Sequence, residues 1–473
     1  MQRRKERNYE PGSGNRRKRG GWANRTSSIK KKRRGLGHSS TVRSDRCVSC
    51  TSFNILAPIY KQFSEEDQSC RESQYRAYWL SRNKSIIGRL LGDRSSIICL
   101  QEFWLGNDEL VNMYEKQLGD AGYISFKLAW TNNRGDGLLT AVHRDYFRIL
   151  KLLFNDFGDH VAQLLHVESV VPFWHRENSS IQQQFLIVNT HLLFPHDSSL
   201  CIVRLQQLYK ILQYIETYQK EHNLEPMPVI LCGDWNASKR GHVYKFLQSQ
   251  GFISSYDTVH KYTDSDADAH KWISHRNHRG NICGVDFIWL LNPNKQRKPL
   301  RTSWNEAVFG IIKVNTYLSF VRASLTETIA FAFLKVDSPG NYITYSGFCQ
   351  ALYQLGLSGH PDGLSSEDTK VLWVQADTDG NGVVDYVEFL QRIWNPKCSE
   401  QPEEKTVSGT KGSPITGGDT QQQRAFGFDV KDAVLFPPEV ERGMWPENYS
   451  LSDHAPLTVV FSPVKMPCGG PVC

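Results

Sequence analysis

The sequence lacks any apolar run long enough to cross a membrane as a helix, which takes about 20 residues. Its start, Met1-Gln2-Arg3-Arg4-Lys5, is not followed by the apolar segment of a secretory signal. The 11 cysteines are scattered, and their odd number and spacing do not form a disulfide framework. Cys47-x-x-Cys50 has no second pair at zinc-site spacing and is interpreted as incidental. These absences predict a protein without a transmembrane segment that keeps free thiols in a reducing compartment.

The positive charge of the chain is confined to its first residues. The whole chain carries +7, but residues 1–46 hold 16 Lys and Arg against 3 Asp and Glu, a net charge of +13. The remaining residues therefore carry a net charge of −6. Basic clusters at 16–19 and 30–34 are typical of nuclear import signals or of an arm that attracts phosphate groups. We predict a disordered basic tail and a nuclear and/or cytoplasmic location, with an organellar transit peptide or a tail without a specific partner as alternatives.

After the tail, short apolar runs alternate with segments of helical spacing. Alternation of many strands with helices favours an α/β sandwich of two packed sheets with outer helices. Apolar residues at helical spacing predict helices over Gln74–Leu91, Leu110–Ala121 and Ile202–His222. The predicted strands are Thr51–Leu56, Ser96–Leu100, Leu138–His143, His160–Val167, Phe185–Asn189, Val229–Cys232 and Val285–Leu291.

The character of the sequence changes twice in its second half. A helical stretch with two loop interruptions is followed by a segment rich in Ser, Thr, Gly, Gln and Pro, which is typical of a flexible linker. Pro456–Phe461 then predicts one further strand, and because a strand needs partners it is expected to return to the first sheet system. The predicted segments are a basic tail at 1–46, a first domain part at 47–300, an all-α insertion at 305–395, a linker at 396–425, a second domain part at 426–464 and a tail at 465–473.

A twelve-residue segment of the insertion has the ligand spacing of an EF-hand calcium loop. Gly382 at its sixth position permits the sharp turn of such loops, and Glu388 at its twelfth can bind Ca²⁺ through both carboxylate oxygens. Apolar residues on either side predict the two amphipathic helices of the motif. The predicted Ca²⁺ ligands are Asp377, Asp379, Asn381, the carbonyl oxygen of Val383, Asp385 and Glu388.

A segment upstream, Phe333–Ile343, resembles a second EF-hand loop that has lost its ligands. Pro339 replaces a carboxylate, the loop is one residue short, and Gly347 stands where a bidentate Glu is expected. Since EF-hands usually occur in pairs, we predict a structural partner that does not bind metal and one functional calcium site. The pair could regulate the surrounding domain, stabilise it or recruit a protein partner, and the sequence leaves these alternatives open.

Six short motifs with polar residues near strand ends occur in order along the α/β part. They are Ser-Phe-Asn-Ile-Leu at 52–56, Cys-Leu-Gln-Glu at 99–102, Asn-Thr-His-Leu at 189–192, Gly-Asp-Trp-Asn at 233–236, Val-Asp-Phe-Ile at 285–288 and Ser-Asp-His-Ala-Pro-Leu at 452–457. Together they resemble the endonuclease/exonuclease/phosphatase superfamily, which includes DNase I, apurinic endonucleases, inositol polyphosphate phosphatases, neutral sphingomyelinases and deadenylases. The resemblance covers 48–292 and 450–461 and implies a two-sheet DNase I-like α/β sandwich.

The resemblance implies a phosphodiester hydrolase that uses Mg²⁺ or Mn²⁺. Glu102, with Asn54 beside it, would anchor the metal, since Mg²⁺ prefers one or two carboxylates and keeps waters for the substrate phosphate. The family pattern assigns to Asp234 the orientation or deprotonation of the attacking water. Asn236 would hold a phosphate oxygen.

The same resemblance assigns roles to the histidines. His454 would contact the phosphate and stabilise the developing charge, with Asp286 fixing its tautomer and orientation. His191 would be a second phosphate ligand and Asp453 a carboxylate on the metal side. The visible departure from the family pattern is Trp235, where Phe or Leu is more usual.

Finer features resemble one branch of the superfamily. Ser52–Ala57, the Arg- and Trp-bearing helix that includes Trp79 and Arg82, and Arg204-Leu205-x-Gln207 are similar to the carbon catabolite repressor/angel/nocturnin deadenylase group. This similarity implies a 3′ exoribonuclease that acts on RNA or on related nucleotide phosphates. The added EF-hand resembles a plant-type calcium-binding member of the superfamily.

Two alternatives to the exoribonuclease remain open. One is a phosphatase or phosphodiesterase acting on nucleotide, inositol or lipid phosphates. The other is a calcium-responsive binding protein whose hydrolase fold is not catalytic. Regulation of catalysis by Ca²⁺ is a further hypothesis, because the insertion precedes the loop that bears Asp453 and His454.

Overall fold

The computed structural model of the protein describes most of the chain after residue 46. The basic tail and nearly all of the predicted linker lie outside the described residues. None of the described helices is both long and apolar enough to cross a bilayer. The described residues are 47–63, 69–131, 134–156, 161–170, 173, 182–194, 200–239, 241–262, 273–295, 297–319, 326–336, 340–394 and 424–467.

The described elements are strands with interspersed helices until residue 291 and are mainly helical from there to residue 394. In chain order, the strands are β1 Val48–Asn54, β2 Ile97–Trp104, β3 Tyr123–Ala129, β4 Asp136–His143, β5 Phe147–Asp156, β6 Val161–Ser169, β7 Gln184–His191, β8 Val229–Asp234, β9 Ile253–Ser254, β10 His275–Arg276, β11 Ile282–Cys283, β12 Asp286–Leu291, β13 Tyr342–Thr344, β14 Val383–Asp385, β15 Arg424–Leu435 and β16 Leu457–Pro467. The α-helices are α1 Arg76–Asp93, α2 Asp108–Asp120, α3 Cys201–Glu221, α4 His242–Ser249, α5 Ser255–His260, α6 Leu300–Ser319, α7 Glu327–Lys335, α8 Tyr345–Gln354, α9 Ser366–Ala376 and α10 Tyr386–Glu388, which continues into a π-helical turn at Phe389–Trp394.

Two six-stranded mixed sheets form the α/β sandwich. The first has the order β15-β16-β1-β2-β4-β3 and the second the order β5-β6-β7-β8-β12-β9. Each sheet contains one parallel pair, β1 with β2 and β7 with β8, and its other described pairs are antiparallel. The predicted fold class, with two packed sheets and outer helices, is therefore confirmed.

The central strands are apolar because both of their faces are covered. All six residues of β8 and all six of β12 are buried. Helices α3 and α4 contribute to the hydrophobic cluster that includes the second sheet, whereas α1 and α2 pack on residues of β1 and β2 in a separate cluster. Because both faces are packed, the positions of these strands are fixed. The polar residues of the six sequence motifs lie near the strand ends and are fixed with them.

Cys47 and Cys50, whose spacing was interpreted as incidental, do not form a pair of neighbouring thiols. The Cys50 side chain is buried together with Cys99 and Cys232, and the three sulfur atoms lie within 4.8 Å of one another. Cys47 instead has its sulfur 3.7 Å from Nζ of Lys431. The two cysteines therefore face different environments.

The helical insertion is joined to the sandwich through α6. This helix begins at Leu300, five residues before the predicted insertion, and packs against both α3 and α4. Its other contacts are with α7 and the π-helical turn, where Nζ of Lys313 donates to the carbonyl of Trp394 at 2.6 Å. Because α6 contacts both sides, it links the sandwich to the insertion, and the predicted boundary at 305 falls within this helix.

The C-terminal strands close the first sheet. The predicted strand Pro456–Phe461 is part of β16, which runs on to Pro467 between β1 and β15. Residues 465–467, predicted as tail, are therefore strand, because they pair with Arg424–Phe426 of β15. Strand β15 was not predicted, and it begins at Arg424 within the last two residues of the predicted linker.

Candidate active site

The two parallel strand pairs place predicted residues at one edge of the sandwich. Asn54 ends β1, and Glu102 lies two residues before the end of β2. His191 and Asp234 end the second parallel pair, β7 and β8, and lie opposite each other in register. Asp286 begins the antiparallel strand β12 directly opposite Asp234. The topology therefore gathers residues from five distant sequence positions into one site.

Asn54 orients the two carboxylates nearest to it. Its Nδ2 donates to Oε1 of Glu102 at 2.9 Å and to Oδ2 of Asp234 at 3.1 Å, while its Oδ1 accepts the Leu56 amide at 3.0 Å. The Ala57 amide donates to the other oxygen of Glu102 at 3.1 Å. Glu102 has a φ of +53°, a left-handed conformation that non-glycine residues rarely adopt and that is frequent at functional sites.

His454 is held between two carboxylates. Its Nδ1 lies 2.9 Å from Oδ2 of Asp286, and its Nε2 lies 3.6 Å from Oδ2 of Asp234. The contact of Nδ1 with Asp286 leaves Nε2 as the ring nitrogen that faces Asp234. Asp453, the neighbour of His454 in the chain, has its Oδ1 4.0 Å from the same Nε2.

The remaining two predicted residues complete the surroundings of Asp234. His191 Nε2 lies 3.4 Å from Oδ2 of Asp234 and 3.1 Å from Nδ2 of Asn236. The Asn236 amide N–H donates to Oδ1 of Asp234 at 2.9 Å, and its side chain donates to the Leu192 carbonyl at 2.9 Å. All eight residues predicted for the hydrolase site are thus brought together around Asp234.

The charges of the site shift one another's ionisation. Burial alone would raise the pKa of Asp234, but the nearby His454 and His191 lower it below its ordinary value. Burial would lower the pKa of His454, yet Asp286 and Asp234 raise it well above its ordinary value. Burial raises the pKa of Glu102, and burial also raises that of Asp286. Asp234 is therefore favoured as carboxylate and His454 as imidazolium.

The acidic side of the cleft fits a divalent cation. Glu102, Asp234 and Asp453 line the same cleft, and the unneutralised charge of Glu102 is disfavoured by burial. Hard oxygen ligands with room for water and phosphate suit Mg²⁺ or Mn²⁺. Asn54 would serve such an ion by orienting Glu102, to whose Oε1 its Nδ2 donates.

The segment Asp377–Glu388 follows α9 directly, and its last three residues form α10. Carboxylate oxygens of Asp377, Asp379 and Glu388 lie within 4.8 Å of one another. Gly382, with a φ of +86°, makes the sharp turn, and its amide donates to Oδ2 of Asp377 at 3.0 Å. Oδ1 of Asp377 is buried and has no hydrogen-bond partner among the described residues. This orphaned oxygen fits a loop that receives a cation.

The described part of the upstream segment corresponds to the second half of this loop. Strand β13 pairs with β14, so that Ile343 lies opposite Val384. Gly347 is the third residue of α8, as Glu388 is the third residue of α10. No carboxylate can therefore take the twelfth position there. Pro339 lies outside the described residues.

Comparison with known proteins identifies the fold as a known type. Residues 52–305 match the Endonuclease/Exonuclease/phosphatase family. An "uncharacterized calcium-binding protein" of Arabidopsis thaliana is 60% identical over 433 residues, covering 91% of this chain and 87% of that protein. The chain belongs to the endonuclease/exonuclease/phosphatase family. It is accordingly an enzyme of the class that hydrolyses phosphate ester bonds.

More distant relatives of the family match only part of the chain. Carbon catabolite repressor protein 4 homolog 3 of Arabidopsis thaliana is 28% identical over 204 residues, which are 42% of this chain and 42% of that protein. A crystal structure of ANGEL2, a 2′,3′-cyclic phosphatase, in complex with adenosine-2′,3′-vanadate is 17% identical with a TM-score of 0.43, covering 52% of this chain and 84% of that one. The helical insertion lies outside the part matched to the family.

Several residues of this family member's cleft were missed by the sequence analysis. His275 lies in the cleft with its ring stacked on that of His454, at 4.2 Å between centroids and 8° between planes. Asp136 is buried in the cleft wall, accepting from Tyr60 at 2.7 Å and from Trp130 at 3.0 Å. No local spacing signals these contacts, although Asp136-Gly137 at a strand start was a polar pair that could have been singled out.

The mouth of the cleft is edged by cations. Its volume is about 610 Å³, and Lys61, Arg134 and Arg276 are among its lining residues. Lys61 is half-buried, and Arg134 and Arg276 are exposed. A cleft with carboxylates on its floor and cations at its mouth suits a metal-dependent reaction on a negatively charged substrate.

Proposed function

We propose that the protein is a Mg²⁺-dependent phosphodiester hydrolase that removes nucleotides from the 3′ end of RNA. The observation that carries this proposal is the meeting of Glu102, Asp234 and His454 in one cleft whose mouth holds Lys61 and Arg276. The floor provides metal ligands and acid–base groups, and the mouth attracts a polyanion. Similarity to carbon catabolite repressor protein 4 homologs supports RNA as the first substrate to test.

The residues divide the reaction among them. Asp234, favoured as carboxylate, accepts a proton from the attacking water. His454, favoured as imidazolium, donates through Nε2 to a phosphoryl oxygen and stabilises its developing charge. The side-chain amide group of Asn236 and the ring of His191 contact the phosphate on the side opposite His454. A Mg²⁺ ion bound at Glu102 would supply further charge neutralisation at the phosphoryl oxygens.

Stepwise hydrolysis of a labelled RNA tests this proposal. A 5′-labelled RNA ending in oligo(A) is incubated with Mg²⁺ beside an RNA without a terminal adenylate run. We expect loss of 3′ nucleotides by the wild-type protein, and a fall in kcat of about 10³-fold or more in Asp234→Asn, because the general base is removed. Asp120→Asn, an exposed position at the end of α2, is the matched control and should leave the rate unchanged.

The same assay separates the alternative substrates. Nucleotide, inositol and lipid phosphates are offered in parallel with the two RNAs. Turnover of one of these without cleavage of RNA would reject the nuclease proposal and keep the hydrolase class. Absence of turnover with all of them would favour a binding function for the cleft.

We also propose that the loop Asp377–Glu388 binds one Ca²⁺ ion. Its three converging carboxylates and the orphaned Oδ1 of Asp377 carry this proposal. Similarity to a protein named as calcium-binding supports it. Isothermal titration should give one Ca²⁺ per chain for the wild type and none for Glu388→Gln. Two ions per chain, or unchanged binding by the variant, would contradict it.

A further inference from the structure

The short strand β10 connects the two segments that carry the Asp286–His454 pair. Oγ of Ser274, just before β10, accepts the amides of Val285 and Asp286, both at 3.0 Å. The carbonyl of the same Ser274 accepts the Ala455 amide at 2.7 Å. Asp286 and His454 are 168 residues apart in the chain, so this bridge sets their relative position.

The next residue of β10, His275, lies directly against His454. The backbones of His275 and His454 form an antiparallel bridge, and the Arg276 amide donates to the Asp453 carbonyl at 2.9 Å. The two rings are parallel, at 4.2 Å and 8°. His275 is buried, with 7% of its surface exposed, although it lines the cleft.

This arrangement constrains the His454 ring in two directions. The contact of Nδ1 with Asp286 restricts rotation of the ring in its plane, and the His275 ring covers one face and restricts tilting. Nε2 of His275 lies 3.7 Å from Oδ2 of Asp453, so the same side chain also holds the neighbouring carboxylate.

We propose that His275 is a positioning residue that holds the His454 imidazole and the Asp453 carboxylate in their reactive arrangement. The proposal rests on the proposed hydrolase function of the cleft. Displacement of a reacting group by about 1 Å can lower a rate by about 100-fold. Loss of the His275 ring should therefore act on the rate of the chemical step rather than on substrate binding.

Three substitutions at position 275 separate the stacking contact from the contact with Asp453. His275→Phe keeps a flat ring against His454 and removes Nε2. His275→Gln keeps a donor near Asp453 and removes the ring, and His275→Ala removes both. Arg279→Ala, in the exposed turn of the same hairpin and outside the cleft lining, is the control.

Kinetics with a small diester, bis(p-nitrophenyl) phosphate, test the proposal with Mg²⁺ present. We expect His275→Ala to lower kcat by about 10- to 100-fold with KM unchanged within about twofold. The Phe and Gln variants should each recover part of the loss, while the control keeps the wild-type kcat. A raised KM at unchanged kcat would overturn the proposal. So would a His275→Phe variant that recovers both the wild-type kcat and the wild-type melting temperature.

Hydrogen exchange provides a readout that does not depend on activity. Amides of the segment 450–456 should exchange faster in His275→Ala than in the wild type, and at the wild-type rate in Arg279→Ala. If the wild-type protein hydrolyses no phosphate ester, the proposed function fails, and this exchange measurement still decides whether His275 positions the loop. Unchanged exchange in His275→Ala would reject the positioning role.

Discussion

Asp234 and His454 change each other's ionisation in opposite directions across 3.6 Å. The pKa of the acid is lowered and that of the base is raised, so each charged form stabilises the other. Paired groups whose environments push their pKa values apart mark the acid and base of a site. The proposed roles, proton acceptor for Asp234 and donor for His454, agree with these directions.

Replacing Asp286 by Asn should move the alkaline limb of the pH–rate profile. The carboxylate of Asp286 raises the pKa of His454 against the effect of burial, so its loss lowers that pKa. Because the imidazolium is then lost at lower pH, we expect the alkaline limb of kcat/KM to shift down by about 1–3 pH units. Profiles of kcat/KM from pH 5 to 10 measure this shift. Asp429→Asn, at an exposed position of β15, is the control. An unmoved limb would show that His454 does not act as the proton donor.

Arg82 is a buried cation that ties together the loops around the site. Its guanidinium bonds both carboxylate oxygens of Glu72, and it donates to the carbonyls of Ile55 at 2.7 Å, Leu56 at 2.8 Å and Leu451 at 2.8 Å. The first two carbonyls follow Asn54, and the third precedes the Asp453–His454 pair. One side chain therefore joins the two loops that flank the cleft.

Replacing Arg82 by Met should lower the free energy of unfolding by about 3–5 kcal/mol, because Glu72 is left buried and unpaired. The double variant Arg82→Met/Glu72→Gln should lose less than the single one, since no buried charge remains. Denaturant unfolding measures both, with Arg76→Met as control because its pair with Glu109 is exposed. A double variant less stable than the single one would contradict the burial argument.

At the scale of elements, helix α3 contacts both the helical insertion and the loop that follows His191. Gln206 donates to the carbonyl of Gly363, just before α9, at 3.1 Å. The next residue, Gln207, accepts the Leu193 amide at 3.1 Å, and Arg204 donates to the Leu193 carbonyl at 3.3 Å. Leu193 lies two residues after His191. These contacts therefore lead from the helical insertion to the loop after His191. The sequence analysis had instead suggested the loop of Asp453 and His454.

Gln206→Ala should weaken any effect of Ca²⁺ on catalysis without changing Ca²⁺ binding. The substitution removes the bond to Gly363 and leaves the loop Asp377–Glu388 intact. We expect the change in kcat between saturating Ca²⁺ and chelator to fall by about half or more, with an unchanged Kd. Gln213→Ala, exposed on the same helix, is the control. A wild-type kcat that does not respond to Ca²⁺ would rule out this coupling.

The sequence predicted the elements with strong local signals and missed those that depend on tertiary partners. The seven apolar runs are strands because burial on both faces requires continuous apolar residues, as in β8 and β12. Strand β3 is half-exposed and β15 mixes polar and apolar residues, so neither has a clear period. Strand β10 has two residues, and no pattern of that length can be read.

The candidate site was predictable for a related reason. Residues of the six motifs lie near strand ends, and their roles could be inferred from a family resemblance one motif at a time. His275 and Arg82 act through residues far away in the chain, and neither spacing nor composition indicates such pairs. The hydrogen bonds of Asn54 to Glu102 and Asp234 are likewise contacts that the motif alone does not give.

At the scale of the whole molecule, charge is divided between two segments. The basic residues 1–46 carry +13, whereas the rest of the chain carries −6 and concentrates cations at the mouth of the cleft. An excess of positive charge in one segment of a chain that is otherwise acidic favours association with long polyanions through release of counterions. Residues 1–46 should therefore affect the binding of a long polyanionic substrate and not that of a small one.

Removal of residues 1–46 should raise KM for RNA and leave the hydrolysis of a small diester unchanged. Each phosphate contact that is lost also reduces the dependence of binding on salt, so the slope of log KM against log salt becomes shallower. Parallel assays at about 50 and 200 mM salt measure both quantities. Equal KM values for RNA with and without these residues would assign the segment another role.

The position of β16 has a consequence for how the protein is made. Strand β1 leaves the ribosome long before β16, one of its two partners in the sheet. About 400 residues separate them, which at roughly 5–20 residues per second corresponds to ~20–80 s of translation. Throughout that interval one edge of β1 is open, and such edges invite pairing with other chains. His454 arrives with the same late segment, so a nascent chain is exposed to misassembly before it is capable of catalysis.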